Sequence, residues 1–384
     1  MRVLPHLLAR RFLLSIALVV AVGTVCRAGD EGPSAAWKSI APFFEPSAEF
    51  AHKLGTYRSP LLFNDGTPVK GADDWPRRRK ELLDTWHGLM GPWPNIIERP
   101  KIEVLFEERR DKLTFRRVRL EIAKNQTGDG WLLVPEGRGP FPAVLVVYYE
   151  PETSIGQNPK QPLRDFGLQL ARRGFVTLSI GTPGGDARKP DVGTATCQPL
   201  SFHAYVAANC WQALANLPEV GAKRIGVVGH SYGGKWAMFA GAFWDKFAAV
   251  AVSDPGIVFD ETKPNVNYWE PWYLGFDPKL QRPKAGLPTA DNPRTGAYKK
   301  MIETGRDLHE VHALIAPRPF LVSGGSEDPP SRWVALNHTI AVNKLLGLKR
   351  RVGMTNRKEH TPNEESNAQL YSFFEHFLID ASRR

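Results

Sequence analysis

The sequence predicts an α/β protein built on a mainly parallel sheet that helices cover on both faces. From about residue 143 onward, short apolar runs alternate with helical segments, which is the pattern of parallel strands joined by crossover helices. The segment Ala143 to Tyr149 is continuously apolar and rich in valine, as a strand buried on both faces requires. Hydrophobic residues make up 42% of the 384-residue chain and charged residues 23%, so the composition is that of a globular protein with a sizeable core.

The first 28 residues have the features of a signal peptide. Arginines at positions 2, 10 and 11 precede an apolar run from Phe12 to Cys26. This run is shorter than the about 20 residues that cross a bilayer as a helix. We therefore expect cleavage after Ala28, export to the periplasm or the medium by the general or the twin-arginine route, and no stable membrane association of the processed chain.

The charge balance argues against a nucleic-acid partner. The formal net charge is +10, and loss of residues 1–28 removes four arginines and no acid, which lowers it to +6. The basic runs at 77–80 and 349–351 are short and lie in no nucleic-acid-binding motif. Cys197 and Cys210 are the only cysteines beyond the signal segment, and their spacing leaves open whether they pair.

The processed chain is expected to comprise an N-terminal extension, residues 29–100, and a catalytic domain, residues 101–384. A helix is predicted in the extension between Asp74, a capping residue, and the stop signal Gly91-Pro92. Strands are expected near 102–106, 113–122, 131–134, 143–149, 175–180, 224–228, 248–252, 319–322 and 351–354, and helices near 162–173, 202–217, 232–243, 331–346 and 364–381.

An insertion, residues 255–306, interrupts this alternation without a clear period of its own. Tyr268, Trp269, Trp272 and Tyr273 lie within six residues there. Ligands bind at the carboxyl edge of such sheets, so Tyr268, Trp269 and Trp272 are candidate substrate-binding residues in a lid-like segment. The alternative is a small satellite core that holds the insertion against the domain.

A tight turn between a strand and a helix predicts a serine nucleophile. Gly229-His230-Ser231-Tyr232-Gly233 follows an apolar strand and precedes a helical segment. Such a turn brings neighbouring backbone so close that small residues are needed on both sides of the serine, and Gly229 and Gly233 meet that need. It also sets Ser231 at a helix N-terminus, where unpaired N–H groups favour negative charge.

With this turn the chain resembles the α/β-hydrolase superfamily, and most closely enzymes similar to dienelactone hydrolase and acetyl xylan esterase. The resemblance covers roughly residues 100–384 and implies the α/β-hydrolase fold, with the order nucleophile, acid, histidine. The acid is then expected after the strand at 319–322, where Asp328 matches the family position. Asp254 is the second candidate, because some esterases of the superfamily take the acid from the preceding strand, and Glu327 is the third.

Three histidines follow the acid candidates, and His360 is the predicted general base. It lies in the loop after the strand at 351–354, whereas His338 and His376 lie inside predicted helices. His360 would take the proton of Ser231 as the serine attacks an ester carbonyl, and the acid would orient the imidazole. An acyl-enzyme would form and water would release it, with no cofactor or metal.

Backbone amides are expected to stabilise the oxyanion. One donor would be the N–H of Tyr232, and the other that of Tyr149 or Glu150 in the loop after the strand at 143–149. The motif His309-Glu310-Val311-His312 has a spacing of three between its histidines, whereas the zinc-protease motif needs four, so no metal site is predicted.

The expected activity is hydrolysis of carboxylic esters, of carbohydrates or of other small extracellular molecules. Residues 229–235 and Asn267-Tyr268-Trp269 also resemble glucuronoyl esterases, but Tyr232 stands where those enzymes often carry an arginine. A serine peptidase of the prolyl-oligopeptidase type shares the triad order, although residues 29–100 are too few for its propeller. A catalytically inactive binding protein on the same scaffold is the remaining alternative.

Overall fold

A computed structural model describes residues 34–263, 268–280 and 286–380 of the chain. The signal segment expected in residues 1–28, and Asn267, lie outside the described residues. No helix within these ranges is long and apolar enough to cross a membrane.

Nine strands and ten α-helices make up the described part of the chain. The strands are β1 (Ile102–Arg110), β2 (Leu113–Ala123), β3 (Gln126–Pro135), β4 (Phe141–Val147), β5 (Val176–Ile180), β6 (Val220–His230), β7 (Ala249–Ser253), β8 (Phe320–Gly324) and β9 (Val352–Asn356). The helices are α1 (Ala35–Ile40), α2 (Trp75–Met90), α3 (Pro151–Ser154), α4 (Phe166–Ala171), α5 (Pro199–Ala215), α6 (Tyr232–Phe243), α7 (Gly296–Glu303), α8 (His309–Ala313), α9 (Trp333–Leu345) and α10 (Glu364–Phe374).

All nine strands join one sheet in the order β1-β2-β3-β5-β4-β6-β7-β8-β9. The six strands from β5 to β9 in this order are parallel, and β1, β2 and β3 add an antiparallel edge. The carboxyl ends of β6, β7, β8 and β9 therefore meet at one edge of the sheet. This arrangement confirms the mainly parallel α/β fold that the alternation of strands and helices predicts.

The central strand β4 shows why the sheet needs helices on both faces. Leu145 and Val147 pack in the core on one face, with helices α5 and α6. Val144 and Val146 point the other way, into a second core that includes residues of α4 and α10. Since successive side chains of a strand alternate between faces, a continuous apolar strand is stable only when both faces are covered.

Several boundaries differ from those predicted. The strand expected at 143–149 ends at Val147, so Tyr148 and Tyr149 belong to the loop that follows. The helix expected at 162–173 is a 3₁₀ turn, Pro162–Arg164, followed by the short helix α4. The insertion contains helix α7, whose Tyr298 and Met301 are buried. Tertiary packing of these few apolar positions, rather than a long periodic pattern, stabilises α7.

The N-terminal extension packs into the same core as the sheet. Helix α2 buries Leu82, Trp86 and Met90, which are spaced by four residues and so share one face. All three belong to the core cluster that contains Leu145. The indole Nε1 of Trp86 also donates to Glu310 Oε2 at 3.2 Å.

We therefore expect the extension and the sheet to unfold together. Trp86→Ala should lower the free energy of unfolding by about 3–5 kcal/mol, because it empties a large core position and leaves Glu310 without one of its donors. Lys80→Ala in the same helix is the control, since Lys80 is exposed. Denaturant titration should show one shifted transition for the first variant and almost no shift for the second. A separate early transition in Trp86→Ala would mean that the extension is an independent unit.

Candidate active site

Ser231 occupies the turn between β6 and α6 in a conformation that few residues adopt. Its φ is 56° and its ψ −120°, outside the regions that non-glycine residues favour. Its amide donates to Ser253 O on the neighbouring strand β7 at 2.8 Å. Such a strained backbone persists only where the surroundings enforce it.

The glycines on either side of Ser231 are required by close backbone contacts. A Cβ at position 233 would lie 2.1 Å from Val147 O, and one at position 229 would lie 2.2 Å from Gly233 O. Neither contact is tolerable, and both partners are backbone atoms. The turn therefore presses β4, β6 and α6 together, as the sequence motif predicts.

His360 lies directly against Ser231. Its Nε2 is 2.9 Å from Ser231 Oγ, the distance at which a histidine can accept the serine proton. The loop after β9 carries it, and Arg357 holds that loop by donating to His360 O at 2.6 Å and to Ser323 O at 2.9 Å. His360 is thus anchored through its backbone, while its ring remains half-buried.

The carboxylate that contacts His360 is Asp254. His360 Nδ1 lies 2.7 Å from Asp254 Oδ2, so the Nδ1–H tautomer donates to the carboxylate and leaves Nε2 to accept from Ser231. The side chain of Asp254 is fully buried. Asp254 directly follows β7, which is the position ranked second among the sequence candidates.

The preferred acid candidate, Asp328, does not contact His360. Its carboxylate accepts hydrogen bonds from the amides of Gly256 at 2.8 Å and Ile257 at 2.7 Å. The prediction placed Asp328 correctly in the loop after β8, but the turn of that loop directs its side chain toward the start of the insertion. Glu327, the third candidate, lies in the same loop and donates its own amide to Asp254.

The structure supports one of the two predicted oxyanion donors and leaves the other undetermined. Tyr232 is the first residue of α6, where amides have no acceptor within the helix, so its N–H is available beside Ser231. In the loop after β4, the amide of Tyr148 is already bonded to Ile180 O at 3.2 Å. The second donor from Tyr149 or Glu150 stays a prediction.

Side chains around Ser231 add features that the sequence did not reveal. Burial raises the pKa of the Tyr149 hydroxyl, and its hydrogen bond to Ser231 acts in the opposite direction, as do the charges of Arg164 and Arg188. Arg164 Nη1 donates to the hydroxyl of Tyr148 at 2.7 Å. These cations come from loops after β4 and β5, which only the fold brings beside the serine.

His230 is a second histidine at the nucleophile, and it is kept neutral. Its ring centroid lies 4.7 Å from that of His360, and its Nδ1 lies 3.1 Å from both Ser253 O and Ser253 Oγ. Burial, with a contribution from His360, lowers the pKa of His230 well below its usual value. His230 therefore packs against the base without adding a competing positive charge.

The aromatic cluster of the insertion separates into buried and accessible residues. Tyr268 and Trp269 are buried, and Tyr268 OH donates to Val258 O at 2.9 Å. Both belong to the main hydrophobic core, so the structure buries these two candidate substrate-binding residues and attaches the insertion to the domain through them. Trp272 is half-buried, with its ring 4.0 Å from that of Tyr273 and 5.9 Å from that of Tyr232, so it alone of the three keeps part of its side chain exposed.

Next to Trp272 lies the buried carboxylate of Glu270. Trp272 Nε1 donates to Glu270 Oε2 at 3.2 Å, whereas Glu270 Oε1 has no hydrogen-bond partner among the described residues. A separate cleft of about 270 Å³ is lined by Pro271 and Phe276 of the insertion and by Arg188. The insertion thus carries a half-buried indole and a buried carboxylate oxygen that no described residue satisfies, and it lines a cleft of its own.

Lys235 is buried rather than solvated at the first turn of α6. Its Nζ donates to Gly256 O and, at 2.6 Å, to Tyr268 OH. Burial lowers the pKa of Lys235, and the charge of Asp328 opposes that effect. The side chain therefore ties α6 to the insertion beneath the site.

The two other candidate histidines, His338 and His376, and the two cysteines have contacts that indicate structural roles. His338 Nε2 lies 2.9 Å from Leu54 O, and the His376 ring packs 4.7 Å from that of Trp37. Cys197 and Cys210 are both buried and unpaired. Within the described ranges no three or more histidine, cysteine, aspartate or glutamate side chains cluster as metal ligands would.

Comparisons with known proteins find relatives that are described as esterases of carbohydrates. No family model matches the chain. A 4-O-methyl-glucuronoyl methylesterase from Phanerochaete carnosa is 24% identical over 357 residues, which cover 83% of this chain and 80% of that protein.

Solved structures agree with this likeness. A glucuronoyl esterase from Solibacter usitatus has a TM-score of 0.65 at 19% identity and covers 83% of this chain and 97% of its own. A Bacteroides fragilis protein provisionally described as an acetyl xylan esterase has a TM-score of 0.55 at 15% identity, over 81% of this chain and 82% of its own. These comparisons confirm that the chain has the α/β-hydrolase fold.

The contact between Ser231 and His360 predicts that Ser231 reacts with a fluorophosphonate probe. A serine that donates to a neighbouring base is activated, whereas an ordinary surface hydroxyl is not. Mass spectrometry should find the adduct on the peptide that contains Ser231, and Ser231→Ala and His360→Ala should each abolish it. Ser326→Ala is the control, because Ser326 is exposed on the neighbouring loop but has no histidine partner. Labelling that survives in His360→Ala would show that the contact does not activate the serine.

Proposed function

We propose that this chain is an exported serine esterase that hydrolyses carboxylic esters of carbohydrates. The observation that carries the proposal is the chain of two short contacts, 2.9 Å from Ser231 Oγ to His360 Nε2 and 2.7 Å from His360 Nδ1 to Asp254 Oδ2. The comparisons support the expectation of a carboxylic ester hydrolase, because the curated relative is a methylesterase of a sugar acid. Export rests on the signal segment expected from the sequence.

The mechanism follows from the order of the three side chains. Ser231 Oγ attacks the ester carbonyl while His360 Nε2 takes its proton, and the carbonyl oxygen becomes an oxyanion facing the N–H of Tyr232. The tetrahedral intermediate then expels the alcohol, which takes the proton from His360. Water, deprotonated by His360, attacks the acyl-enzyme in the same way, so the acid is released and Ser231 regains its proton.

Asp254 keeps the imidazole in the productive tautomer. Its carboxylate accepts the Nδ1–H and stabilises the positive charge that forms on His360 after proton transfer. Because Asp254 is buried, this interaction is little screened by solvent. The acid role therefore passes from the first to the second of the sequence candidates.

A sugar substrate fits the surroundings of Ser231. Sugar rings present both C–H faces that pack on aromatic side chains and hydroxyl donors that need acceptors. Trp272 has an accessible face, and Glu270 Oε1 is a buried acceptor without a partner in the described part of the chain. The cleft lined by Pro271, Phe276 and Arg188 is our candidate for binding a part of the substrate beyond the ester bond.

Tyr232, the residue that follows the nucleophile, bears on which acyl group the site can accept. The Tyr232 side chain is fully buried and its hydroxyl lies 3.0 Å from His203 Nε2, so this position presents no cation to the substrate. An ester of a sugar acid and an acetyl ester of a sugar are the two forms that the relatives suggest, and the substrate panel below separates them.

Ester turnover should depend on all three residues. Purified protein should cleave p-nitrophenyl acetate and at least one of acetylated xylan and methyl glucuronate, with amide analogues as negative controls. Ser231→Ala should reduce kcat by on the order of a million-fold, and Asp254→Asn by about 10⁴-fold through the wrong histidine tautomer. His338→Gln is the control, because its ring lies against Leu54 O and away from Ser231. If Ser231→Ala kept more than about a tenth of the activity, Ser231 would not be the nucleophile.

The two tryptophans of the insertion should differ in their kinetic effects. Trp272→Ala should lower kcat/KM for a polysaccharide ester and spare p-nitrophenyl acetate, which is too small to need the aromatic face.

Trp269→Ala, the matched control, should lower the melting temperature and impair both substrates alike, because Trp269 is buried and its Nε1 donates to Gly286 O at 2.5 Å. The same kinetic pattern in both variants would place Trp272 in the hydrophobic core as well.

A further inference from the structure

Asp254 must be held in an unusual backbone conformation to reach His360. Its φ is 51°, in the left-handed region that residues with a Cβ seldom adopt. Its carboxylate is also buried, and a buried charge needs several hydrogen-bond donors. Something in the surrounding loops has to enforce both the turn and the position of the carboxylate.

The loop after β8 supplies the donors for the carboxylate. Asp254 Oδ1 accepts from the amides of Gly325 at 2.6 Å and Asp328 at 2.8 Å. The amide of Glu327 adds a longer contact of 3.1 Å. The loop that was expected to provide the acid thus provides the backbone that holds it.

Asp328 returns the same kind of contact in the opposite direction. Its two carboxylate oxygens accept from the amides of Gly256 and Ile257 at 2.8 and 2.7 Å. Those amides lie two and three residues after Asp254, in the turn that gives Asp254 its positive φ. Each aspartate therefore binds the backbone of the other's loop, and the two loops are locked to each other.

Lys235 connects the same turn to helix α6, which begins directly after Ser231. Its Nζ donates to Gly256 O, and it lies four residues after Ser231 on α6. Burial and the charge of Asp254 raise the pKa of Asp328, while its hydrogen bond from Ile257 and the charge of Lys235 oppose this rise. Arg332 Nε approaches Asp328 Oδ1 to 3.9 Å, so two cations flank this carboxylate.

From these contacts we propose that Asp328 is a positioning residue, which acts on catalysis by locking the turn that follows Asp254 and so aims the acid at His360. The proposal rests on the proposed esterase function, in which Asp254 is the acid. Asp328 itself touches neither His360 nor Ser231 through any contact of the described residues. The effect of its side chain passes through the backbone at Gly256 and Ile257, in addition to the bond that its own amide donates to Asp254.

Replacing Asp328 by asparagine tests the lock with little change in volume. An asparagine presents one oxygen and one NH₂ group, so one of the two backbone amides would face a donor instead of an acceptor. The turn should shift, and a displacement of about 1 Å at a catalytic group can cost on the order of 100-fold in rate. We expect kcat for p-nitrophenyl acetate to fall by about 10- to 100-fold, with KM changed less than about 2-fold.

The proton between His360 and Asp254 provides a readout that does not need turnover. Its low-field ¹H NMR resonance, assigned by its absence in His360→Gln and Asp254→Asn, should be present in the wild type and lost or displaced in Asp328→Asn. If no ester is cleaved but the resonance behaves in this way, the esterase function fails and the lock stands. If esters are cleaved and Asp328→Asn keeps both the resonance and kcat within about 2-fold, the lock is overturned.

Asp307→Asn is the matched control. Asp307 is half-buried, and its Oδ1 accepts from the amides of Phe259 at 2.9 Å and Leu308 at 2.5 Å, but neither amide lies in the turn after Asp254. Asparagine retains that oxygen, so this variant removes a carboxylate charge near the site and should keep the resonance and kcat. Equal losses of kcat in both variants would show a merely structural role for Asp328.

A second variant covers the case in which Asp328→Asn does not fold. Lys235→Met keeps the length of the side chain and removes its bond to Gly256 O, so it loosens the same turn from the other side. The resonance should then be displaced and kcat lowered by about 10-fold. An unchanged resonance and kcat in this variant would overturn the proposal.

Discussion

The close approach of three backbone segments at Ser231 is the constraint on which the candidate site depends. Gly233 lies where a Cβ would come within 2.1 Å of Val147 O, so β4 and α6 meet without any side chain between them. This contact holds Ser231 at a φ of 56° and lifts its hydroxyl out of the sheet edge. It also directs the first amides of α6 toward the same point, because those amides have no partner within the helix.

Parallel strands then bring the other two side chains to that point. β7 and β9 end at the same edge as β6, and the loops that follow them carry Asp254 and His360. Neither side chain is near Ser231 in the sequence. The order of strands in the sheet, rather than any local feature, brings His360 Nδ1 within 2.7 Å of Asp254 Oδ2 and His360 Nε2 within 2.9 Å of Ser231 Oγ.

The cost of burying charge explains how the surroundings of the site are built. Asp254, Asp328 and Lys235 are all fully buried, and an isolated charge there would be strongly disfavoured. Backbone amides and carbonyls of the two loops after β7 and β8 satisfy these groups, so the charged residues also fasten the loops. The insertion adds its own support, since Tyr268 receives a hydrogen bond from Lys235.

The fold and most of the candidate site could be predicted from the sequence, because both depend on local patterns. The apolar strands, the two glycines around Ser231 and the loop position of His360 are features of short segments, and the structure has each of them, although several strand boundaries differ. The choice between Asp254 and Asp328 was different. Both follow a strand, both are buried, and each is bonded to the loop of the other, so nothing local distinguishes the acid from the residue that supports it.

The aromatic residues of the insertion also could not be told apart from the sequence. Tyr268, Trp269 and Trp272 are alike in the sequence, yet the first two fill a core and only the third keeps an accessible face. Sequence by itself determined which chemical groups are present, the period of the strands and the tight turn at Ser231, since these follow from side-chain size and backbone sterics. Tertiary structure alone decided which carboxylate reaches His360 and which aromatic ring stays partly exposed, because the direction of a side chain in an irregular loop depends on contacts with residues distant in the chain.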